Sequence, residues 1–250
     1  SQVLYAEGDA AIDAFGFVTA VAHFTLEKQT VTGADTSGVS FANAELFEFT
    51  LTGAEVFVGV GATFDDNATA TDYSDDTIDT AGALGLYATV GSFRLVTVTD
   101  LLPLPRSWTA IQIDDLGGSF VGVTGLTIGV SGVDVKVNNA SVGATRLDWE
   151  SLALTTGTLT NPAIDTAQQL YAEGDAAIAA FGFVVAVAHF RLEKQVVSGT
   201  DNAGTTLTNA DLFDFSLTSA EVFVGVGAML DDNGTALDYA DDAIDTAGAL

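Results

Sequence analysis

Along most of the chain apolar residues return at every second position, in segments rich in Val, Phe, Leu, Ile and Thr that are broken by Gly. That period marks β-strands. It predicts strands near 14–28, 46–52, 56–64, 84–99, 110–113, 119–123, 126–130, 133–137 and 146–154, while residues 6–14 have room for a short helical turn at most. From Phe15 onward both faces read as apolar, one bulky (Phe15, Phe17, Val21) and one small (Gly16, Ala20, Ala22), which predicts a strand covered on both sides. Val56, Val58 and Val60 against Phe57, Gly59 and Gly61 repeat that division, as layers of one continuous core would. Val133, Val135 and Val137 alternate with Asp134 and Lys136, a strand with one wet face. Acids, glycines and asparagines gather in the connections, and Leu102-Pro103-Leu104-Pro105 predicts an excursion at a sheet edge.

The pattern also repeats on a larger scale. Leu4 to Leu84 returns without a gap as Leu170 to Leu250, with about three quarters of the residues identical and a period of about 166. Residues 1–169 therefore form one complete unit and 170–250 the first half of the next, a window on a longer array. Tandem units multiply length and contacts more readily than they build one catalytic centre. Strand pairs spaced along each unit, with no linker near 161–169, predict an all-β fold of elongated β-solenoid or β-roll type, the alternative being a string of antiparallel β-sandwich domains.

Composition narrows the partners. With 48% hydrophobic and 16% charged residues the chain can bury a core. Seven basic residues against 34 acidic ones leave a net charge of −27, which argues against nucleic acid and anionic membranes as partners. Cations, or a surface adapted to salt, answer the same repulsion. No cysteine occurs, so disulfides and thiolate metal sites are excluded, and no apolar run is long enough for a membrane helix.

Four motifs follow in order: Gly16-Phe17-Val18, Phe57-Val58-Gly59-Val60-Gly61, Ser107-Trp108-Thr109-Ala110 and Val135-Lys136-Val137-Asn138. In this the unit resembles the repeat regions of very large bacterial extracellular proteins. The resemblance implies a stalk, filament or adhesin module at the cell surface, without catalytic residues. The Gly-Gly-x-Gly-x-Asp repeat of calcium-binding β-rolls is missing, so their metal sites do not transfer.

The strongest chemical candidate is an acidic loop with Asp65, Asp66, Asn67, Asp72, Asp75, Asp76 and Asp79, which returns as Asp231, Asp232, Asn233, Asp238, Asp241, Asp242 and Asp245. Ca²⁺ takes six to eight hard oxygen ligands, which such a loop offers; the spacing is not that of an EF-hand, and a solvated acidic turn accounts for the same residues. His23 and His189, a full period apart, read as hydrogen-bonded core or rim histidines. Lys28 and Lys194 read as strand-end ion pairs with Glu27 and Glu193. Trp108 and Trp149 with Tyr73 and Tyr239 offer either core packing or a platform for sugar rings.

The leading expectation is a non-enzymatic structural module of a secreted or cell-surface protein, stabilised by calcium and joined to adjacent units or identical chains end to end or by sheet edges. A carbohydrate-binding module, with glycans as partners, is the alternative. A polysaccharide lyase or hydrolase fits poorly, because the seven basic residues are scattered.

Overall fold

The structure, a computed structural model, describes residues 2–235 and 237–250. Its strands in chain order are β1 (Gln2–Ala14), β2 (Val18–Ala34), β3 (Ser40–Val60), β4 (Thr63–Asp65), β5 (Thr77–Asp79), β6 (Leu84–Thr99), β7 (Ser107–Val121), β8 (Leu126–Ala140), β9 (Ala153–Thr156), β10 (Gln168–Ala180), β11 (Val184–Thr200), β12 (Thr206–Val224), β13 (Met229–Asp231) and β14 (Ala243–Asp245). One antiparallel sheet runs β1-β2-β3-β6-β7-β8-β10-β11-β12, and β9 pairs with the end of β2 beyond the reach of β1. Apart from β9 and the two small ribbons β4–β5 and β13–β14, the strands lie side by side in chain order. The all-β expectation holds, and every strand pairing is antiparallel; no coils are stacked as in a solenoid among the described residues.

Several predicted strands fuse. The gaps foreseen between 46–52 and 56–64, between 110–113 and 119–123, and between 126–130 and 133–137 fall inside β3, β7 and β8. Gly53, Asp115 and Gly132 sit at these places with φ of 56°, 57° and 56°, and the strand register slips beside each. They are bulges, which bend a strand without ending it. Residues 6–14 belong to β1 rather than to a helical turn. Phe15 and Gly16, both at positive φ, form the β1–β2 turn, with Asp13 Oδ1 accepting from Gly16 N at 3.0 Å. Phe15 is thus fully exposed and Phe17 half-exposed, not the bulky buried face expected of them. Residues 100–106, with Pro103 and Pro105, link the central strands β6 and β7 at the sheet's end instead of lying at its edge; Arg106 clasps the buried Asp100 there.

Long connections pack on one face of the sheet. At one end of the strands, residues 141–167 bring Leu147, Trp149, Leu152 and Ile164 onto Val31, Leu46, Val96 and Trp108. The predicted strand 146–154 is part of this cover: only Ala153 and Leu154 are in a strand, because Leu147 and Trp149 plunge into the core from irregular backbone. At the other end the β4–β5 ribbon places Ile78 and Ala83 against Val21 and Phe57. Phe57 needs Gly59 and Gly85, since a Cβ on either would meet its ring within 2.8 Å. The second ribbon, β13–β14, does the same over Ala177 and Val187 with Tyr239. The core is therefore three clusters under three covers, not one continuous stack.

The opposite face has no such cover among the described residues. Ile12, Phe24, Leu51, Phe93, Ile113 and Val135 alternate with the covered positions by the strand register, and Phe49 meets Phe93 edge-on there at 6.3 Å. The strand that was expected to be covered on both sides is covered on one. Val133 is buried and Asp134 exposed as the alternation foresaw, whereas Lys136 leans over the ring of Tyr171 at 5.6 Å.

The second copy joins the first without a break. β10 pairs with β8, Leu170 opposite Val137 and Ile178 opposite Ile128, so the sheet passes through the boundary between copies.

Candidate functional site

The acidic residues hang over the sheet as the loop of a small ribbon. Thr63 faces Asp79, Phe64 faces Ile78 and Asp65 faces Thr77; Phe64 and Ile78 point into the core and hold residues 66–76 above β1 and β2. Ile78 N donates to Glu55 Oε2 at 3.0 Å, which ties the ribbon to β3.

Much of the loop's carboxylate capacity goes to its own backbone. Asp65 Oδ1 accepts from Asn67 N, Asp66 Oδ1 from Ala68 N, and Asp72 Oδ1 from Ser74 N, at 3.0–3.1 Å. Asp75 Oδ1 accepts from the Thr69 hydroxyl at 2.9 Å, and the Asn67 side-chain amide donates to the Asp75 carbonyl. The second copy repeats these bonds around Asp231, Asp232, Asn233, Asp238 and Asp241. Asp79 and Asp245 are used elsewhere, each capping the following turn through Ala81 N or Ala247 N at 2.8 Å.

Asp76 and Asp242 differ from the rest. Asp76 Oδ1 and both carboxylate oxygens of Asp242 are shielded from solvent without a hydrogen-bond partner. Burial, followed by repulsion from Asp75, Asp66, Asp72 and Asp65, raises the pKa of Asp76. Burial together with Asp241, Asp232, Asp238 and Asp231 pushes Asp242 up to about 6. The predicted residues are thus brought together around one carboxylate in each copy, with Asp79 and Asp245 outside the cluster. Among the described residues, no group of three or more His, Asp or Glu side chains already stands in a metal-holding arrangement.

Beneath each loop lies a cleft of about 230 Å³ in the first copy and about 300 Å³ in the second. The first is lined by Asp9, His23, Thr52, Tyr73 and Asp76, the second by Asp175, His189, Thr218, Tyr239 and Asp242. His23 Nδ1 lies 2.9 Å from Asp9 Oδ1, and its Nε2 lies 3.4 Å from Glu7 Oε1. His189 is held between Asp175 at 3.0 Å and Glu173 at 2.9 Å. An imidazole with an acceptor on each nitrogen is best served by two protons; the hydrogen bond to Asp9 raises the pKa of His23, and those to Glu173 and Asp175 raise that of His189. Both are hydrogen-bonded rim histidines, as expected.

Their partners Glu7 and Asp9 were legible but missed. Reading Phe15-Gly16-Phe17 as a turn sets Asp9 opposite His23 at once, because the two are equidistant from Gly16.

The remaining candidates fall into the structure's interior or its ordinary surface. Trp108 and Trp149 are buried, their indole N–H groups donating to Thr145 O at 2.8 Å and Asn138 Oδ1 at 3.2 Å, so they offer no platform to a sugar. Lys28 pairs across the sheet with Glu45 at 2.7 Å, and Lys194 with Asp211 at 3.4 Å, rather than with the neighbouring Glu27 and Glu193. No protein-family model matches the chain, and neither a curated protein nor a solved structure does.

Proposed function

We propose that the chain is a non-enzymatic structural module of a large secreted or cell-surface protein, whose tandem units build a filament, stalk or adhesin shaft stiffened by calcium. One observation carries this reading: the sheet crosses from the first copy into the second through the β8–β10 ladder, so adding units lengthens the sheet. For the finer architecture the antiparallel order, a layer of connections on one face and an apolar opposite face support the sandwich-like form over the solenoid. The extracellular setting rests on the resemblance of the repeat motifs.

Calcium belongs to the reading through Asp76 and Asp242. A buried carboxylate oxygen without a donor, ringed by four further acids, is relieved by a divalent cation as well as by a proton. In the absence of such relief a net charge of −27 works against compactness.

Thermal unfolding with Ca²⁺, with chelator and with Mg²⁺ at fixed ionic strength tests it. The expected result is a calcium-specific rise in midpoint that is lost when Asp66, Asp76, Asp232 and Asp242 become Asn. A rise no greater than that with magnesium would remove calcium from the reading.

A further inference from the structure

The contact that joins the two copies is made once within the chain, but its accepting half occurs twice. β10 is one half of the β8–β10 ladder, and β1 has the same residues as β10 from Leu4 to Ala14 apart from Asp13, where the second copy has Ala179. The outer edge of β1 pairs with no strand among the described residues. It is long, and it contains neither Pro nor Lys, the residues by which sheet edges commonly discourage pairing.

A second difference between the copies marks the same place. Tyr239 is 6% exposed, while its counterpart Tyr73 is 48% exposed. The cause is β8: Tyr239 N donates to Ser131 Oγ at 2.7 Å, and the Tyr239 ring lies over Gly129, where any Cβ would collide with it. Beside Tyr73 no strand among the described residues stands in the position of β8. Likewise Phe181 N donates to Gly125 O at 2.6 Å in the loop before β8, and Phe181 is 61% exposed where Phe15 is fully exposed. Tyr73, Phe15 and the β1 edge are three parts of one surface, whose counterparts in the other copy all contact the same segment, residues 125–137.

We propose that the β1 edge, with Tyr73 beside it, is a docking site for the β8 strand of another copy of the 166-residue unit, in the register that β8 and β10 already show. The inference rests on the reading of the chain as a repeating structural module and names the contact by which its units join. In this register Leu4 meets the partner's Val137, Asp9 meets the partner's Ser131, and Ile12 meets the partner's Ile128. Tyr73 closes over the partner's Gly129 as Tyr239 closes over Gly129. Tyr5 receives the partner's Lys136 over its ring, as Tyr171 receives Lys136. Backbone hydrogen bonds supply the affinity, and the tyrosine selects a strand with glycine at this one place.

A synthetic peptide of residues 126–140 with a soluble tail, added in excess to the full chain, tests the site. Amide hydrogen exchange in β1 is expected to slow about tenfold or more, and nitration of Tyr73 to fall toward the rate of Tyr239. A peptide carrying Gly129→Val is expected to leave Tyr73 as reactive as before. Unchanged exchange in β1, or equal protection of Tyr73 by both peptides, overturns the docking site. Calcium-specific stabilisation measured on the same chain separates the two readings: if it persists while β1 stays unprotected, the joint alone is lost; if both fail, the shaft goes with it.

Discussion

β3 and β12 are the same strand in two settings. Their apolar residues are largely shared, yet Leu46 is completely buried and Leu212 is 41% exposed, and Phe57 at 1% exposure answers to a Phe223 that is partly open. β3 has β6 on its far side and residues 141–167 above it; β12 has neither among the described residues. At the other side of the unit the contrast reverses, for Tyr73 is open and Tyr239 covered. Burial in this chain is decided by the neighbouring strand rather than by the segment's own sequence. An apolar residue exposed in one copy marks where a neighbour fits in the other.

The same substitution made in each copy should therefore have unequal cost. Phe57→Ala removes a fully buried ring packed over Gly59 and Gly85 and is expected to lower stability by about 3–5 kcal/mol, with Phe223→Ala at about a third of that, as read by chemical denaturation of the full chain. Equal losses would mean that β12 is as well packed in solution as β3. Next in size, Tyr239→Ala is expected to cost about 2–3 kcal/mol and Tyr73→Ala about 0.5 kcal/mol or less, unless another copy covers Tyr73.

Acidity sharpens the contrast in the opposite sense to ordinary acid denaturation. The pKa of Asp242 rises on folding from 3.8 to about 6, so the unfolded chain loses that proton first and stability declines as pH climbs through this interval. His23 and His189 act the same way at higher pH: their stabilisation is complete below the unfolded value of 6.5 and lost as pH rises through their raised folded values. Thermal midpoint is expected to rise by several degrees from about pH 8 to about pH 5. Asp242→Asn should flatten the acid part of that slope more than Asp76→Asn does, and calcium should flatten it in the parent chain. A midpoint that falls steadily on acidification would contradict both assignments.

The smallest difference concerns the lysines. Lys28→Ala and Lys194→Ala are each expected to cost less than about 0.5 kcal/mol, because half-exposed cross-strand pairs contribute little, with the tighter Lys28–Glu45 pair ahead if either is measurable.

Strand type was legible in the sequence because period two persists over long stretches; β6 was foreseen to the residue. Bulges were not, since Gly53 and Gly132 look alike whether they end a strand or bend one, and Asp115 gives no sign of its left-handed backbone. The acidic loop was legible as a cluster. That Asp76 and Asp242 sit at its centre while Asp79 and Asp245 serve a turn depends on how the ribbon folds over the sheet, which no local spacing encodes. The tyrosine difference was beyond reach, because Tyr73 and Tyr239 are flanked by almost the same residues and differ only in what stands beside them.

Between the start of β1 and the start of β10 the sheet advances by β1, β2, β3, β6, β7 and β8, an even number of strands. Evenness has a geometric result: β10 sets out from the same end and in the same direction as β1, with the same side toward the covering ribbon. Units added by this ladder repeat by translation and twist, never by reversal. Every acidic loop then falls on one flank, one per step of roughly 29 Å at the usual strand spacing. An insertion or loss of a single strand would turn the next loop to the far end, so a long array has reason to keep its unit length constant.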